Sequence, residues 1–221
     1  MSAILFGSIG AIAETSELQR LAFNQAFTLH KLDWQWSRDE YITLLEKSGG
    51  QNRVLDYAKS LGISVDAEAV HHSKSEIFQK LLQERPLEAR SGVVEVMQMA
   101  KQSGLKLAFV TATSKQNVMS ILEALKNEIN ESDFDLVVSA SDIEHPKPAP
   151  DAYNFALKQL GQMPQSCVAV EDNFCGLEAA KAAGLACIAF SGENTAHHNF
   201  EAADLCVNRL DFKQLQQFIS G

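Results

Sequence analysis

The sequence predicts an α/β fold: a parallel sheet covered by helices on both faces, with an all-helical domain inserted after the first strand. Three observations carry this. Short apolar runs that do not alternate with polar residues recur along the chain, separated by helix-like segments, as strands buried on both faces require. No convincing strand lies between about Thr15 and Arg85. Polar residues gather just after the apolar runs, where an open parallel sheet presents its ligand-binding loops.

The elements follow in order. Ala3-Ile4-Leu5-Phe6 is the first strand and runs into the glycine-punctuated Gly7-Ser8-Ile9-Gly10. A helix over 16–30 carries Leu18, Leu21, Ala22 and Leu29 on one side, with Thr15 or Ser16 as its cap. Helices over 38–46, 51–60 and 66–84 complete the insert, and Gly49-Gly50 permits a tight turn before the second of these. A helix over 92–103 stops at Gly104. Strand 106–110 then leads to Thr111-Ala112-Thr113, and Ser114 caps a helix bearing Val118, Ile121, Leu122 and Leu125. Strand 135–138 precedes the proline-stiffened His145-Pro146-Lys147-Pro148-Ala149-Pro150 and a helix from Asp151 to Gly161. Strand 167–170 meets Glu171-Asp172, a helix spans 177–183, and further strands lie at 185–190 and 204–207 before a last helix from Asp211. The expected domains are 1–14 with 88–221 as the α/β core and 15–87 as a helical cap.

Composition narrows the function. A formal net charge of -9 and a pI near 5.1, without a basic patch, argue against nucleic acid. No apolar run approaches the ~20 residues a membrane helix needs. No basic leader precedes the first strand, and Cys167, Cys175, Cys187 and Cys206 lack metal-type spacing. The expectation is a cytoplasmic protein with buried free thiols. His71-His72 and His197-His198 have no third ligand at suitable spacing and read as solvated surface. Trp34 and Trp36 read as packing between the inserted helices.

The loops after the strands hold Ser8, Thr111, Lys147, Glu171 and Asp172. A hydroxyl, a lysine and two adjacent carboxylates suit an anion together with a hard divalent cation such as Mg²⁺. The first loop departs from that pattern, because Gly7 and Ile9 can do no acid, base or nucleophilic work. Gly7 reads as a residue kept for backbone freedom. Ser8, one position on, faces the other way in an extended backbone and has no evident base.

These motifs resemble the haloacid dehalogenase (HAD) superfamily in its β-phosphoglucomutase-like and CbbY-like sugar-phosphate phosphatase branch, over essentially the whole chain. The resemblance implies a HAD-like Rossmannoid core with a helical cap that opens and shuts over the site. In that family the first strand ends in Asp-x-Asp-Gly-Thr, and Ser or Thr, Lys-Pro-x-Pro and Glu-Asp follow on later strands. Thr111, Lys147 in Pro-Lys-Pro-Ala-Pro, and Glu171-Asp172-Asn173 match the last three motifs. The resemblance implies phosphate binding by Ser8, Gly10, Thr111, Ala112 and Lys147, and metal binding by Glu171 and Asp172. It also implies substrate contacts in the cap from Gln19, Gly50 and Arg53, with Arg53 as a second-phosphate clamp.

The family's nucleophilic Asp falls on Gly7, its acid/base Asp on Ile9, its Thr on Ala11 and a cap His on Gln19. Losing a carboxylate nucleophile costs on the order of 10⁴ to 10⁶ in rate. Mg²⁺ binding is weakened, whereas two fewer carboxylates repel an anion less. The expected protein is therefore catalytically inactive. It binds a small phosphorylated ligand or inorganic phosphate, or a protein partner. The alternative is an active Mg-dependent phosphatase with a non-standard mechanism.

Overall fold

The computed structural model describes residues 2–219. The chain divides into two compact units, Met1–Glu14 with Leu87–Gly221, and Thr15–Pro86. In chain order the elements are β1 (Ala3–Phe6), α1 (Ser16–Leu29), α2 (Arg38–Leu44), α3 (Gly50–Ser60), α4 (Ala67–Glu84), α5 (Val93–Gln102), β2 (Lys106–Val110) and α6 (Lys115–Ala124). They continue with β3 (Leu136–Val138), α7 (Asp151–Leu160), β4 (Cys167–Glu171), α8 (Phe174–Ala182), β5 (Ala186–Ala189), β6 (Leu205–Cys206) and α9 (Phe212–Gln216).

The sheet order is β3-β2-β1-β4-β5-β6 and every pairing is parallel. All four residues of β1 are fully buried, which accounts for its unbroken apolar sequence. Side chains alternate between the two faces. Ala3, Leu5, Ala108, Val110, Cys167 and Ala169 pack with Tyr153, Ala156 and Leu157 of α7 and Leu177 and Ala180 of α8. On the opposite face Phe6 and Phe109 meet Phe134, with ring centroids 6.5 and 5.8 Å apart. Phe6 is level with Val170, so Gly7 is level with Glu171. That register builds the site.

Local signals set most element ends. Ser114 Oγ accepts the Asn117 amide and starts α6, while Gly104 and Gly161 take φ of 71° and 64° just past α5 and α7. The start of α8 corrects the sequence reading: it begins at Phe174, three residues before the expected 177. Asn173 Oδ1 accepts the Gly176 amide, and the ring of His198, far along the chain, accepts the Phe174 amide at 3.1 Å. His198 is therefore buried rather than solvated. Of the four cysteines, Cys206 is exposed, against expectation, because it ends the outermost strand.

The helical unit has its own core. Phe23, Phe27, Trp34, Trp36 and Tyr41 form an aromatic cluster with Val54, Ala58 and Val70. Phe23 lies 4.9 Å from Trp36 and 6.0 Å from Phe27, centroid to centroid. The Trp36 segment is held by Asn24, whose side chain accepts the Trp36 amide at 2.8 Å and donates to its carbonyl at 3.0 Å. A capping box of Ser37 and Glu40 starts α2. The leucine stripe expected on α1 is displaced: Ala22, Phe23, Ala26 and Phe27 are buried, and Leu29 is 65% exposed. The two phenylalanines bring the most apolar area and take the inward face. Thr15 stands at the N-cap of α1 but makes no capping bond through its side chain. Among the described residues no helix is long and apolar enough to cross a membrane.

Phe23→Ala is expected to destabilise the helical unit by about 3–5 kcal/mol. Both tryptophans of the chain lie in that cluster, so urea unfolding followed by tryptophan fluorescence reads this unit directly. An unchanged midpoint would refute the cluster's role.

Candidate functional site

Four chain segments meet at the carboxyl ends of β1, β2 and β4. Gly7 leaves β1, Thr111 leaves β2, Glu171 ends β4, and Lys147 arrives from the loop before α7. Lys147 is buried at 7% exposure, and its Nζ donates to Glu171 Oε1 at 2.6 Å, to Val110 O at 3.0 Å and to Gly7 O. An ammonium has three donors, and all three are engaged within the chain. Tyr153 Oη donates to the same Glu171 oxygen at 2.7 Å. Glu171 is 0% exposed; burial pushes its carboxyl pKa up, partly offset by Lys147. Burial, reinforced by the Glu171 charge, pushes the Tyr153 hydroxyl far above its usual range.

Gly7 carries the geometry. A Cβ there would lie 1.9 Å from Tyr153 Oη and 2.2 Å from Glu171 Oε1. Its φ is outside the left-handed region, so backbone freedom does not explain this glycine, contrary to the sequence reading. Space does. The room that a side chain at position 7 needs is filled by a tyrosine hydroxyl and a carboxylate from neighbouring elements.

Glu171 and Asp172 part company. Successive strand residues point to opposite faces, so Glu171 joins Gly7 on the α7/α8 side while Asp172 turns to the first loop with Ser8. Ser8 Oγ donates to Asp172 Oδ1 at 2.7 Å and accepts the Ala11 amide at 3.1 Å. Ser8 thus has a carboxylate partner, which the sequence reading denied it. Asn173 donates to the same Asp172 oxygen at 2.6 Å, and a Cβ on Gly10 would lie 1.9 Å from Asp172 Oδ2. Ile9, expected from the sequence at the acid/base position, is a buried apolar residue. Thr111 is buried, its Oγ1 accepting the Thr113 amide at 3.2 Å, and Ala112 beside it is half-buried.

Arg90 went unnoticed in the sequence because it lies in a linker without a motif. Its guanidinium donates to Gly10 O at 2.5 Å, Phe190 O at 2.7 Å and Ser191 O at 2.6 Å, and covers the Phe190 ring at 3.4 Å. It ties the first loop to the end of β5.

The helical unit holds the remaining candidates. Arg53 Nε and Nη2 donate to Leu44 O at 2.8 Å and Lys47 O at 2.9 Å, which spends two of its five N–H donors on the turn before α3. A Cβ on Gly50 would lie 2.6 Å from His71 Nε2. Gln19 Oε1 accepts from Lys74 Nζ at 2.6 Å. Lys74 is the second residue the sequence reading missed: a charged residue in α4 reads as surface, yet it is 3% exposed, 4.9 Å from the Phe23 ring and 5.0 Å from the Phe78 ring. It makes no ion pair among the described residues. Burial, then Arg53, lowers its pKa to about 7. His71 is half-buried rather than fully solvated, and burial takes its pKa down to about 4.

A sequence profile of the haloacid dehalogenase-like hydrolases matches residues 4–190. The chain belongs to that family. Protein CbbY of Cereibacter sphaeroides is 38% identical over 207 residues, covering 92% of this chain and 90% of that protein. Protein CbbY of Rhodobacter capsulatus is 36% identical over 207 residues, covering 92% and 91%. The crystal structure of CbbY from Rhodobacter sphaeroides in complex with phosphate superposes with a TM-score of 0.86 at 34% identity, covering 95% of both chains. A CbbY mutant from the same organism in complex with xylulose-(1,5)bisphosphate gives the same values.

Phosphatases of this family generally use Mg²⁺, and the residues here do not fit that ion. Gly7 offers no carboxylate, and the Ile9 carbonyl already accepts the Ile12 and Ala13 amides, each at 2.9 Å. Glu171 lies on the other face, paired with Lys147. Asp172 alone remains of the expected ligands, and no cluster of three His, Cys, Asp or Glu exists among the described residues.

Gly7→Ala tests the packing. At a glycine of ordinary φ this change commonly stabilises by about 0.4–1 kcal/mol; here it is expected to destabilise by about 1–3 kcal/mol, the range for overpacking. Chemical denaturation measures it, and a stabilised variant would refute the account.

Proposed function

We propose that this chain binds a phosphorylated small molecule and does not hydrolyse it. The single observation that carries the reading is the bare Cα of Gly7, covered by Tyr153 Oη and the Glu171 carboxylate where the family's nucleophile would project. Glu171 cannot take over as nucleophile, because a group with no exposed surface cannot reach a phosphorus atom. Ile9 has no proton to donate. Covalent phosphoryl transfer thus lacks both of its players.

Ligand binding rests on the helical unit. Lys74 is a buried ammonium without a counter-ion, and Arg53 and Gln19 lie beside it on α3 and α1. A buried cation of this kind is costly until an anion pairs with it. The CbbY structures bound to phosphate and to xylulose-(1,5)bisphosphate support a phosphate ester as that anion. The bound ligand would restore the charge that burial takes from Lys74. We place this helical unit in the role of the family's cap, and Arg53 as a clamp for one phosphate.

The Ser8–Asp172 hydrogen bond favours a second reading, an active phosphatase with a hydroxyl nucleophile and a carboxylate base. Against it, Ser8 Oγ is already committed as the cap of the turn Ile9–Ala11.

Hydrolysis of an aryl phosphate with Mg²⁺ separates the two. No turnover above a Lys147→Ala control is expected; turnover that Asp172→Ala abolishes would establish the second reading.

Calorimetric titration with a sugar bisphosphate across pH 6 to 9 tests the binding. The ligand needs the Lys74 ammonium, so affinity should fall as pH rises through about 7, and this dependence should vanish in Lys74→Met. Stability of the free protein should move the other way. The folded chain holds the Lys74 proton less tightly than the unfolded chain, so the penalty is full below about pH 7 and fades as pH rises toward the ordinary lysine range. A sugar bisphosphate that binds equally well at all pH values, or to Lys74→Met, would refute the assignment.

A further inference from the structure

The chain leaves β4 through Asp172 and Asn173 and enters α8, whose first turn takes acceptors from two places. Asn173 Oδ1 accepts the Gly176 amide at 2.9 Å, a local cap of the ordinary kind. The Phe174 amide goes instead to His198 Nδ1, 24 residues away in sequence, at 3.1 Å. A helix start leaves its first amides without partners inside the helix, so both acceptors meet a need. They differ in one respect. A carboxamide oxygen accepts at every pH, whereas a ring nitrogen accepts only while it carries no proton. The bond to Phe174 thus requires the His198 ring to be neutral, with its proton on Nε2.

The segment after β5 seats this ring. Thr195 Oγ1 accepts the Gly192 amide at 2.9 Å, and the His198 amide donates to Thr195 O at 3.0 Å. Asn194, Thr195 and His198 are all buried, while His197 beside them is exposed. The rings of His197 and Phe200 lie 4.6 and 6.2 Å from that of His198, centroid to centroid. The titratable groups about it are His197 in its own segment, and Asp172 and Cys175 in the stretch that it caps. A proton on Nδ1 would meet the Phe174 N–H head-on. It would also place a positive charge at the amino end of α8, where the helix dipole opposes it.

We propose that His198 is a pH-sensitive latch on α8, which holds the helix start when neutral and releases it when protonated. This goes beyond the function proposed above and stands on the core unit alone. The proton binds the released ring in preference to the bonded one. The latch is therefore closed above the ordinary histidine range, about pH 6.5, and opens as pH falls through and below it. Asn173 does not titrate and keeps its own bond, so acid loosens the first turn of α8 without unwinding the helix.

The test uses the full chain and follows hydrogen exchange of the Phe174 amide, corrected for its intrinsic rate, from about pH 7.5 to about pH 5.5. The natural chain is compared with His198→Asn, whose side-chain oxygen accepts but does not titrate, and with His198→Ala, which has no acceptor. Protection of Phe174 in the natural chain should fall about tenfold or more over that range. His198→Asn should hold its protection across the range, and His198→Ala should lack it throughout. An equal fall in the natural chain and His198→Asn would overturn the proposal. So would protection in His198→Ala that matches the natural chain at neutral pH. If neither variant folds, the ring nitrogen chemical shifts of His198 in the natural chain decide. An Nε2–H tautomer at neutral pH that gains a proton as Phe174 loses protection supports the latch. An Nδ1–H tautomer, or a protonation that leaves Phe174 protected, overturns it.

Discussion

The core of this protein is organised by the buried ion pair of Lys147 and Glu171. Each charge alone would be prohibitive there. Together, with the Gly7 and Val110 carbonyls and the Tyr153 hydroxyl, they satisfy most of each other's demand. The pair joins the loop before α7 to the ends of β1, β2 and β4, and so holds together the strand ends that form a ligand edge in folds of this kind. It also imposes a condition on the sequence: the carboxylate fits only because positions 7 and 176 have no side chain. The missing side chain at position 7 and the burial of Glu171 are one packing event seen from two residues.

The pleat of the sheet extends that event to the rest of the site. Register puts Gly7 level with Glu171, and alternation sends Ser8 and Asp172 to the other side. Two pairs result, one buried under α7 and α8 and one facing the first loop. The pleat thus keeps the Glu171 and Asp172 carboxylates on opposite sides. Arg90 closes the arrangement from outside by holding the Gly10 carbonyl against the end of β5.

The helical unit poses the reverse electrostatic problem. Its core is aromatic and self-contained, and Asn24 locks the Trp36 segment through both the oxygen and the nitrogen of its side-chain amide. Within it lies Lys74, with rings on two sides, a single glutamine acceptor and no carboxylate. The core unit carries its own anion, whereas this unit lacks one. That contrast underlies the proposed binding of a phosphorylated ligand by the helical unit.

Much of this was legible in the residues. The unbroken apolar runs determined a parallel sheet, because strands buried on both faces leave no polar side to alternate with. Ser114, Gly104 and Gly161 marked helix ends through local hydrogen bonding and φ alone. The motif spacing determined the family, and Gly7 and Ile9 carry no acidic, basic or nucleophilic side chain. Tertiary structure decided what those residues do instead. Whether Lys147 faces an outside anion or Glu171, whether Gly7 serves flexibility or space, and whether Lys74 is surface or core all depend on neighbours distant in sequence. Lys147 and Glu171 are 24 positions apart, and Lys74 and Gln19 are 55 apart. Local propensity acts over a few residues, so the sequence alone determined the elements and their order. Charge burial and steric exclusion act only once packing has brought side chains together, so the use made of each polar group was settled by the fold.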